Sequence, residues 1–369
     1  MANIFLNLIC SLVVSWCLLV PGTLTRDALA AEKTPLLSSR HKFHPSRDVA
    51  PGEGGLPVRV DFVEGAGKKN RPSPTRATAE LAPGELRDLL SSKSAIVLDS
   101  RSGATLYAHN PDTPGQPAST IKVLTGLIAI QSLNGNDKVM VSRYAANMPR
   151  SKIYLLSGKR YYADDLINAV LLSSANDASV ALAEKLAGNE KTFAVLMTEK
   201  AREMGASNTL CKSASGLTRR DQRSTARDLA VIFNEAMKES EFVERISLKK
   251  VKTRDGKVLR THNKALWNVE GAIGGKTGYT RAARQTYVGK FKRGEDELVV
   301  AIMGSETMWD DIGRLVEYGF VRKQNGGGAQ LADNGGADAG RMPIVRSIAS
   351  NRQLAAIEIL NDSKKESKL

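Results

Sequence analysis

Three short stretches carry residue types able to do chemistry together: Ser119-Thr120-Ile121-Lys122, Ser174-Ala175-Asn176 and Lys276-Thr277-Gly278. A serine is a poor nucleophile until a neighbour takes its proton. A lysine does that only where burial or positive surroundings favour its neutral form. Ser119 and Lys122 stand three apart at the start of 119–133, which reads as a helix, so hydroxyl and amine fall on one face. Pro117 sits where a first turn tolerates it. Beyond Lys122 the apolar Val123, Leu124, Leu127, Ile128 and Ile130 cover more than one face, the pattern of a buried helix. The pair thus stands at the polar mouth of an apolar helix. Ser-x-x-Lys alone arises often by chance. Ser174-Ala175-Asn176 falls in a break between two apolar helices, where short polar residues also serve as caps. Lys276-Thr277-Gly278 follows Gly274-Gly275 at the end of a strand-like run, and by itself reads as a glycine-rich turn with an exposed lysine.

The elements around these stretches are grouped rather than alternating. Residues 95–99 and 105–108 read as a hairpin leading into the helix, and Asn134-Gly135-Asn136-Asp137 ends that helix. A helical insertion of about 135–210 follows, with Asp164 or Asp165 as a cap, a helix ending at Gly188 and another stopped by Gly205. After a helix at 229–237, strands resume at 272–280, 285–291 and 298–304, and a last helix covers 311–318. Such grouping argues against a doubly wound parallel sheet.

Taken in order, Ser-x-x-Lys, Ser-x-Asn and Lys-Thr-Gly form the set found in penicillin-binding proteins and serine β-lactamases. Over 95–320 the sequence resembles the low-molecular-weight D-alanyl-D-alanine carboxypeptidases, the serine-type penicillin-binding proteins of the cell wall. The likeness extends to Leu171-Leu172-Ser173-Ser174-Ala175-Asn176-Asp177-Ala178, Ser215-Gly216-Leu217, Ser224-Thr225-Ala226-Arg227-Asp228, Gly275-Lys276-Thr277-Gly278-Tyr279-Thr280 and Tyr318-Gly319-Phe320. The resemblance implies an α/β (α+β) fold of the β-lactamase/DD-peptidase kind: an antiparallel sheet flanked by helices, with an all-helical inserted subdomain. It implies Ser119 as nucleophile, Lys122 as base and Ser174 as proton relay. Asn176 would orient Lys122 and the substrate amide, Lys276 and Thr277 would hold a carboxylate, and Gly278 would let substrate backbone come close. The N–H groups of Ser119 and Tyr279 would form an oxyanion hole. Arg227 matches a family arginine near the carboxylate pocket, and equally fits a surface ion pair. One departure is Ala282-Ala283-Arg284, where the family usually has a small Ala-Gly after the Lys-Thr-Gly strand. The implied partners are peptidoglycan stem peptides, with β-lactam antibiotics as covalent inhibitors and no cofactor. DD-endopeptidase action, a serine β-lactamase of the same fold and a non-catalytic wall-binding protein are the alternatives.

Composition sets the surroundings. The 369 residues carry a formal charge of +14, which reads first as a solvated basic face, with contact to a membrane surface or an anionic wall polymer as the alternative. Aromatics are only 5% and do not interleave with basic residues, so a nucleic-acid module has little support. The four histidines, His41, His44, His109 and His262, lack metal-ligand spacing, so no metal is expected. Residues 1–30 have the layout of a secretory signal peptide, with Ala28-Leu29-Ala30 as cleavage site, although no Lys or Arg precedes the apolar run. An uncleaved anchor is the alternative; either reading exports the protein to the periplasm or extracytoplasmic envelope. Cys10 and Cys17 lie inside that segment, leaving Cys211 alone and without disulfide chemistry. The remaining organisation is a Pro/Gly/Arg-rich linker at 31–80, a catalytic domain at 81–325 and a low-complexity tail at 326–369.

Overall fold

The computed structural model describes residues 81–326. The expected signal peptide, the linker and the tail from 327 onward lie outside the described residues.

The chain forms α1 (Pro83–Asp88), β1 (Ser94–Asp99), β2 (Thr105–His109) and a 3₁₀ turn, Ala118–Ile121, that runs into α2 (Lys122–Ser132). Next come β3 (Lys138–Met140), α3 (Arg143–Ala146), β4 (Arg160–Tyr162), α4 (Ala163–Leu171), α5 (Asn176–Ala187) and α6 (Glu190–Glu203). They are followed by α7 (Ala226–Ala236), α8 (Ser240–Ile246), β5 (Lys250–Lys252), β6 (Val258–Arg260) and α9 (Ala265–Asn268). The chain closes with β7 (Ala272–Thr280), β8 (Arg284–Arg293), β9 (Asp296–Ser305) and α10 (Met308–Gln324).

Five strands build one antiparallel sheet in the order β2-β1-β9-β8-β7, with β7 at an edge. Strand side chains alternate between faces, and here the alternation feeds two cores. Ala95, Val97, Val300 and Ile302 pack with Leu86 of α1 and Ile312, Leu315 and Val316 of α10. Ile96, Val299 and Ala301 face the other way, onto Leu124 and Leu127 of α2 and Leu229 and Phe233 of α7. Both faces are therefore covered, which is why all six residues of β1 are buried. Helix α2 is buried among α4, α5, α6 and α7, as its all-round apolar pattern requires. That placement puts the start of α2, with Lys122, at the junction of sheet and helical insertion.

The expected antiparallel sheet is present, but the inserted segment is not all-helical: β3 and β4 pair antiparallel as a two-stranded ladder ahead of α4. The first turn of the expected 119–133 helix is 3₁₀, so Ser119 lies before α2 and Lys122 begins it. Tyr162 precedes α4, and Asp164 and Asp165 lie in its first turn, favourable there for the helix dipole, instead of capping it. Asp165 accepts the backbone N–H of Arg254 at 3.2 Å, tying the β5–β6 hairpin to α4.

Candidate active site

The 3₁₀ turn holds Ser119 in a strained frame. Ala118, just before it, has φ +50°, a conformation costing an L-residue roughly 1–2 kcal/mol. Two hydroxyls fasten the turn: Thr120 Oγ1 and, from β8, Thr286 Oγ1 donate to the Pro117 carbonyl at 2.6 and 2.9 Å. Gly216 packs on the other side. A Cβ there would lie 1.9 Å from the Ala118 oxygen, and its φ of +76° also calls for glycine. Gly278 does the same from β7, since a Cβ would meet Ser119 N at 2.7 Å.

Lys122 is fully buried, and its Nζ lies 2.8 Å from Ser119 Oγ, 2.7 Å from Asn176 Oδ1 and 2.6 Å from the Ser215 carbonyl. The last two groups can only accept. Asn176 is fixed in that orientation because its Nδ2 donates to the carbonyls of Pro149 and Arg150, both at 3.0 Å. A neutral amine has two N–H bonds and one lone pair. With both N–H groups committed to Asn176 and Ser215, the lone pair faces Ser119 and can receive its proton. Burial, then the positive charge of Lys276, pushes the Lys122 ammonium well below its ordinary pKa of 10.5, against a smaller upward pull from Asp177 and Glu190. The geometry thus places an amine with a depressed pKa against the Ser119 hydroxyl.

Lys276, also buried, donates to Ser174 Oγ at 2.9 Å and to the Thr277 carbonyl at 3.0 Å. Ser174 has φ +56° and does not cap α5; Ala175 occupies the cap position, and α5 starts at Asn176. The structure therefore brings the three stretches together. Ser119, Ser174, Asn176, Thr277, Gly278 and Tyr279 line one cavity of about 450 Å³, and Lys122 and Lys276 lie directly behind it.

The family described as D-alanyl-D-alanine carboxypeptidase, peptidase S11, matches residues 79–307. The chain belongs to this family. It is 36% identical over 237 residues to D-alanyl-D-alanine carboxypeptidase DacB2 of Mycobacterium tuberculosis, covering 61% of this chain and 81% of that one. It is 31% identical over 245 residues to D-alanyl-D-alanine carboxypeptidase DacF of Bacillus subtilis, covering 62% of each. The match thus spans most of the first relative's length but less than two thirds of the second's. A penicillin-binding protein of Listeria monocytogenes, solved in its ampicillin-bound form, superposes with a TM-score of 0.58 at 29% identity, over 63% of this chain and 98% of that one.

Several contributors to this cavity have no signature of their own in the sequence. Ser215 acts through its carbonyl, and that loop is held from below: Glu190 accepts the Ala214 N–H at 3.0 Å and Thr125 Oγ1 donates to the Ala214 carbonyl at 2.7 Å. Asp177 accepts the N–H groups of Ile153 and Leu155, at 3.1 and 3.0 Å, which pins the loop carrying Arg150 and Ser151 into the cavity wall. His262 also lines the cavity, and burial, then the charges of Lys276 and Lys122, lower its pKa. Met308 and Trp309, at the start of α10, close one end. Thr218 Oγ1 donates to Thr280 Oγ1 at 3.0 Å, joining the Ser215-Gly216-Leu217 loop to β7.

Arg227 is not brought to the cavity. Its guanidinium pairs with Asp112 at 2.8 and 3.1 Å on the surface, the ion-pair alternative weighed above. Ala282 and Ala283 lie in the β7–β8 turn, and Arg284, the first residue of β8, pairs with Glu306 at 3.0 Å and is absent from the cavity lining. Cys211 is buried, which pushes its thiol up to about 12, so it is an inert core residue.

Burial lowers Lys276 to a pKa of about 7. A folded-state pKa depressed below the unfolded value means that the native protein has to bury a charge at low pH. This cost is greatest below pH about 7 and fades as pH rises toward the ordinary value of 10.5. Lys276→Met is therefore expected to stabilise the fold below neutrality, on the order of 1–4 kcal/mol, while removing activity. Urea denaturation of both proteins at two pH values checks this: the gain should shrink at alkaline pH, and a variant less stable at both would refute it.

Proposed function

We propose that this protein is a serine-type D-Ala-D-Ala carboxypeptidase that removes the terminal D-alanine from peptidoglycan stem peptides through an acyl-enzyme. The observation that carries the reading is the set of Lys122 hydrogen bonds, which leaves one lone pair and aims it at Ser119. Ser119 Oγ attacks the carbonyl between the two D-alanines as its proton passes to Lys122. The N–H groups of Ser119 and Tyr279 receive the developing oxyanion, a contribution of about 10²–10³-fold per donor. Cleavage of the C–N bond needs a proton on the leaving amine, and Ser174, between the site and Lys276, relays it. Water then hydrolyses the ester. Lys276 and Thr277 hold the terminal carboxylate, and β7, an edge strand, offers its free side for the extended peptide to pair with. Asn176 keeps Lys122 oriented.

β-Lactams enter as substrate mimics that acylate Ser119. Among the described residues, no Asp or Glu lines the cavity, so no carboxylate is placed to activate a deacylating water. A penicillin adduct is therefore expected to persist. The site of action we propose is the extracytoplasmic envelope, where the substrate lies, in keeping with the leader-like residues 1–30. The deciding experiment incubates the protein with a D-Ala-D-Ala peptide and with labelled penicillin, following D-alanine release and adduct lifetime. D-alanine release with a long-lived adduct supports the reading. Rapid hydrolysis of penicillin without D-alanine release would make the protein a β-lactamase, and no labelling at all would leave a wall-binding protein.

A further inference from the structure

The β5–β6 hairpin takes no part in the proposed chemistry, yet its side chains are arranged with a clear asymmetry. Its ladder sets Lys250 opposite Arg260, Val251 opposite Leu259 and Lys252 opposite Val258. Alternation puts Leu259 into the core and leaves Lys250, Lys252 and Arg260 on one exposed face. Like charges directly opposite one another weaken a ladder. Among the described residues, none of these three cations forms an ion pair with a carboxylate.

The basic character extends in both directions. At the hairpin turn, the Arg254 guanidinium lies 3.8 Å from the centre of the Tyr162 ring, which Lys138 approaches at 3.0 Å. At the other end the hairpin joins the active-site mouth. Ser173, beside Ser174, donates to the Arg260 carbonyl at 3.3 Å, and His262, two residues further on, lines the cavity. Trp267, exposed and five residues beyond His262, has Lys249 Nζ 5.2 Å from its ring centre and adds a flat apolar surface of the kind on which a sugar ring stacks.

We propose that this face docks the polyanionic peptidoglycan strand whose stem peptides enter the cavity: a polymer of sugars bearing carboxylate-rich peptides. The proposal rests on the carboxypeptidase reading above. An external polyanion relieves the repulsion that the ladder builds in, and adds the orientation and encounter rate that complementary charge gives. Continuity with the cavity favours peptidoglycan over an anionic lipid surface or a free phosphate polymer. A strand with one stem in the site must leave across the adjoining surface, and the basic hairpin runs into that site through Arg260, bonded to Ser173, and His262 of the cavity lining.

The test compares wild type with Lys250→Glu/Lys252→Glu and Lys250→Gln/Lys252→Gln. Cosedimentation is measured with insoluble peptidoglycan freed of phosphate polymers, at low and high salt, and with vesicles of anionic phospholipid. Release of D-alanine from a small soluble D-Ala-D-Ala peptide is followed in parallel, and penicillin labelling verifies folding. Wild type should sediment with peptidoglycan at low salt and be released by salt, as screened charge requires. The Glu variant should lose on the order of tenfold in affinity and the Gln variant less, both with unchanged small-peptide kinetics. If the Glu variant loses penicillin labelling, the Gln variant decides. Variants that sediment like wild type, or a wild type that binds vesicles and not stripped peptidoglycan, would overturn the proposal. Failure of the wild type to release D-alanine from the small peptide would instead count against the carboxypeptidase reading, whatever the sedimentation result.

Discussion

Ser119→Ala is expected to abolish covalent labelling by penicillin and to reduce D-alanine release to background, with little change in thermal stability. The side chain lost is one hydroxyl in contact with Lys122 Nζ, while the 3₁₀ turn is fastened by other groups, the Thr120 and Thr286 hydroxyls on Pro117 and the packing of Gly216 and Gly278. The acyl-enzyme, by contrast, cannot form without Oγ. Removing a nucleophile from a comparable serine hydrolase costs on the order of 10⁶ in turnover, so any stoichiometric label on the alanine variant would mean that another residue is acylated. Mass spectrometry of the adduct on wild type checks the assignment directly, because the added mass should map to the peptide containing Ser119.

Lys122→Arg is expected to be nearly as damaging to acylation as Lys122→Ala, a loss on the order of 10²–10⁴-fold, the usual worth of a general base. Arginine keeps a positive charge and can still donate to Asn176 and Ser215, but it cannot give up a proton near neutrality and so offers no lone pair to Ser119. The distinction separates a base from an electrostatic helper, since a helper's function would survive the exchange. Because Lys122 is fully buried, the longer side chain has to be accommodated, so the alanine variant provides the comparison free of overpacking. Acylation rates of both variants, with their unfolding midpoints, decide between the roles. A folded arginine variant that acylates near the wild-type rate would move the base elsewhere.

Much of this site was legible because its chemistry is tied to residue type. A lysine three residues after a serine on an apolar helix, and a second lysine before Thr277-Gly278, are informative wherever they fold. Backbone contributions were not legible. The Ser215 carbonyl completes the Lys122 environment, and any residue type has a carbonyl. Nor does sequence show that Ala118 takes a positive φ, because that conformation is imposed by Pro117, Thr286 and Gly216 meeting around it. His262 was set aside for want of metal-ligand spacing, and its place in the cavity follows from its N–H bonding to the Leu172 carbonyl, a contact 90 residues back in the chain that no local pattern encodes.

The fold shows the same division. The long strand β9 announces itself by a continuous apolar run, as a strand covered on both faces does, whereas β5 and β6, three residues each, are too short for a pattern. Helix α10 runs from Met308 to Gln324, past both ends of the expected 311–318 segment. Its final turn is held by an ion pair from Lys323 to Asp99 at 2.7 Å, a tertiary contact rather than a propensity. Arg227 was readable either way, and its partner Asp112, far off in sequence, decided the outcome.

The central claim is that Lys122 is neutral in the resting enzyme and takes the Ser119 proton. Its most direct test is the second-order rate of acylation by penicillin measured against pH. Deprotonation of the base should raise the rate through a pKa well below the ordinary lysine value of 10.5. Loss of charge on Lys276, whose pKa is about 7, should lower the rate in free enzyme on the alkaline side, giving a bell-shaped profile. A rate that keeps climbing until the pH nears 10.5 would show that Lys122 is an ordinary charged lysine, and would contradict the account.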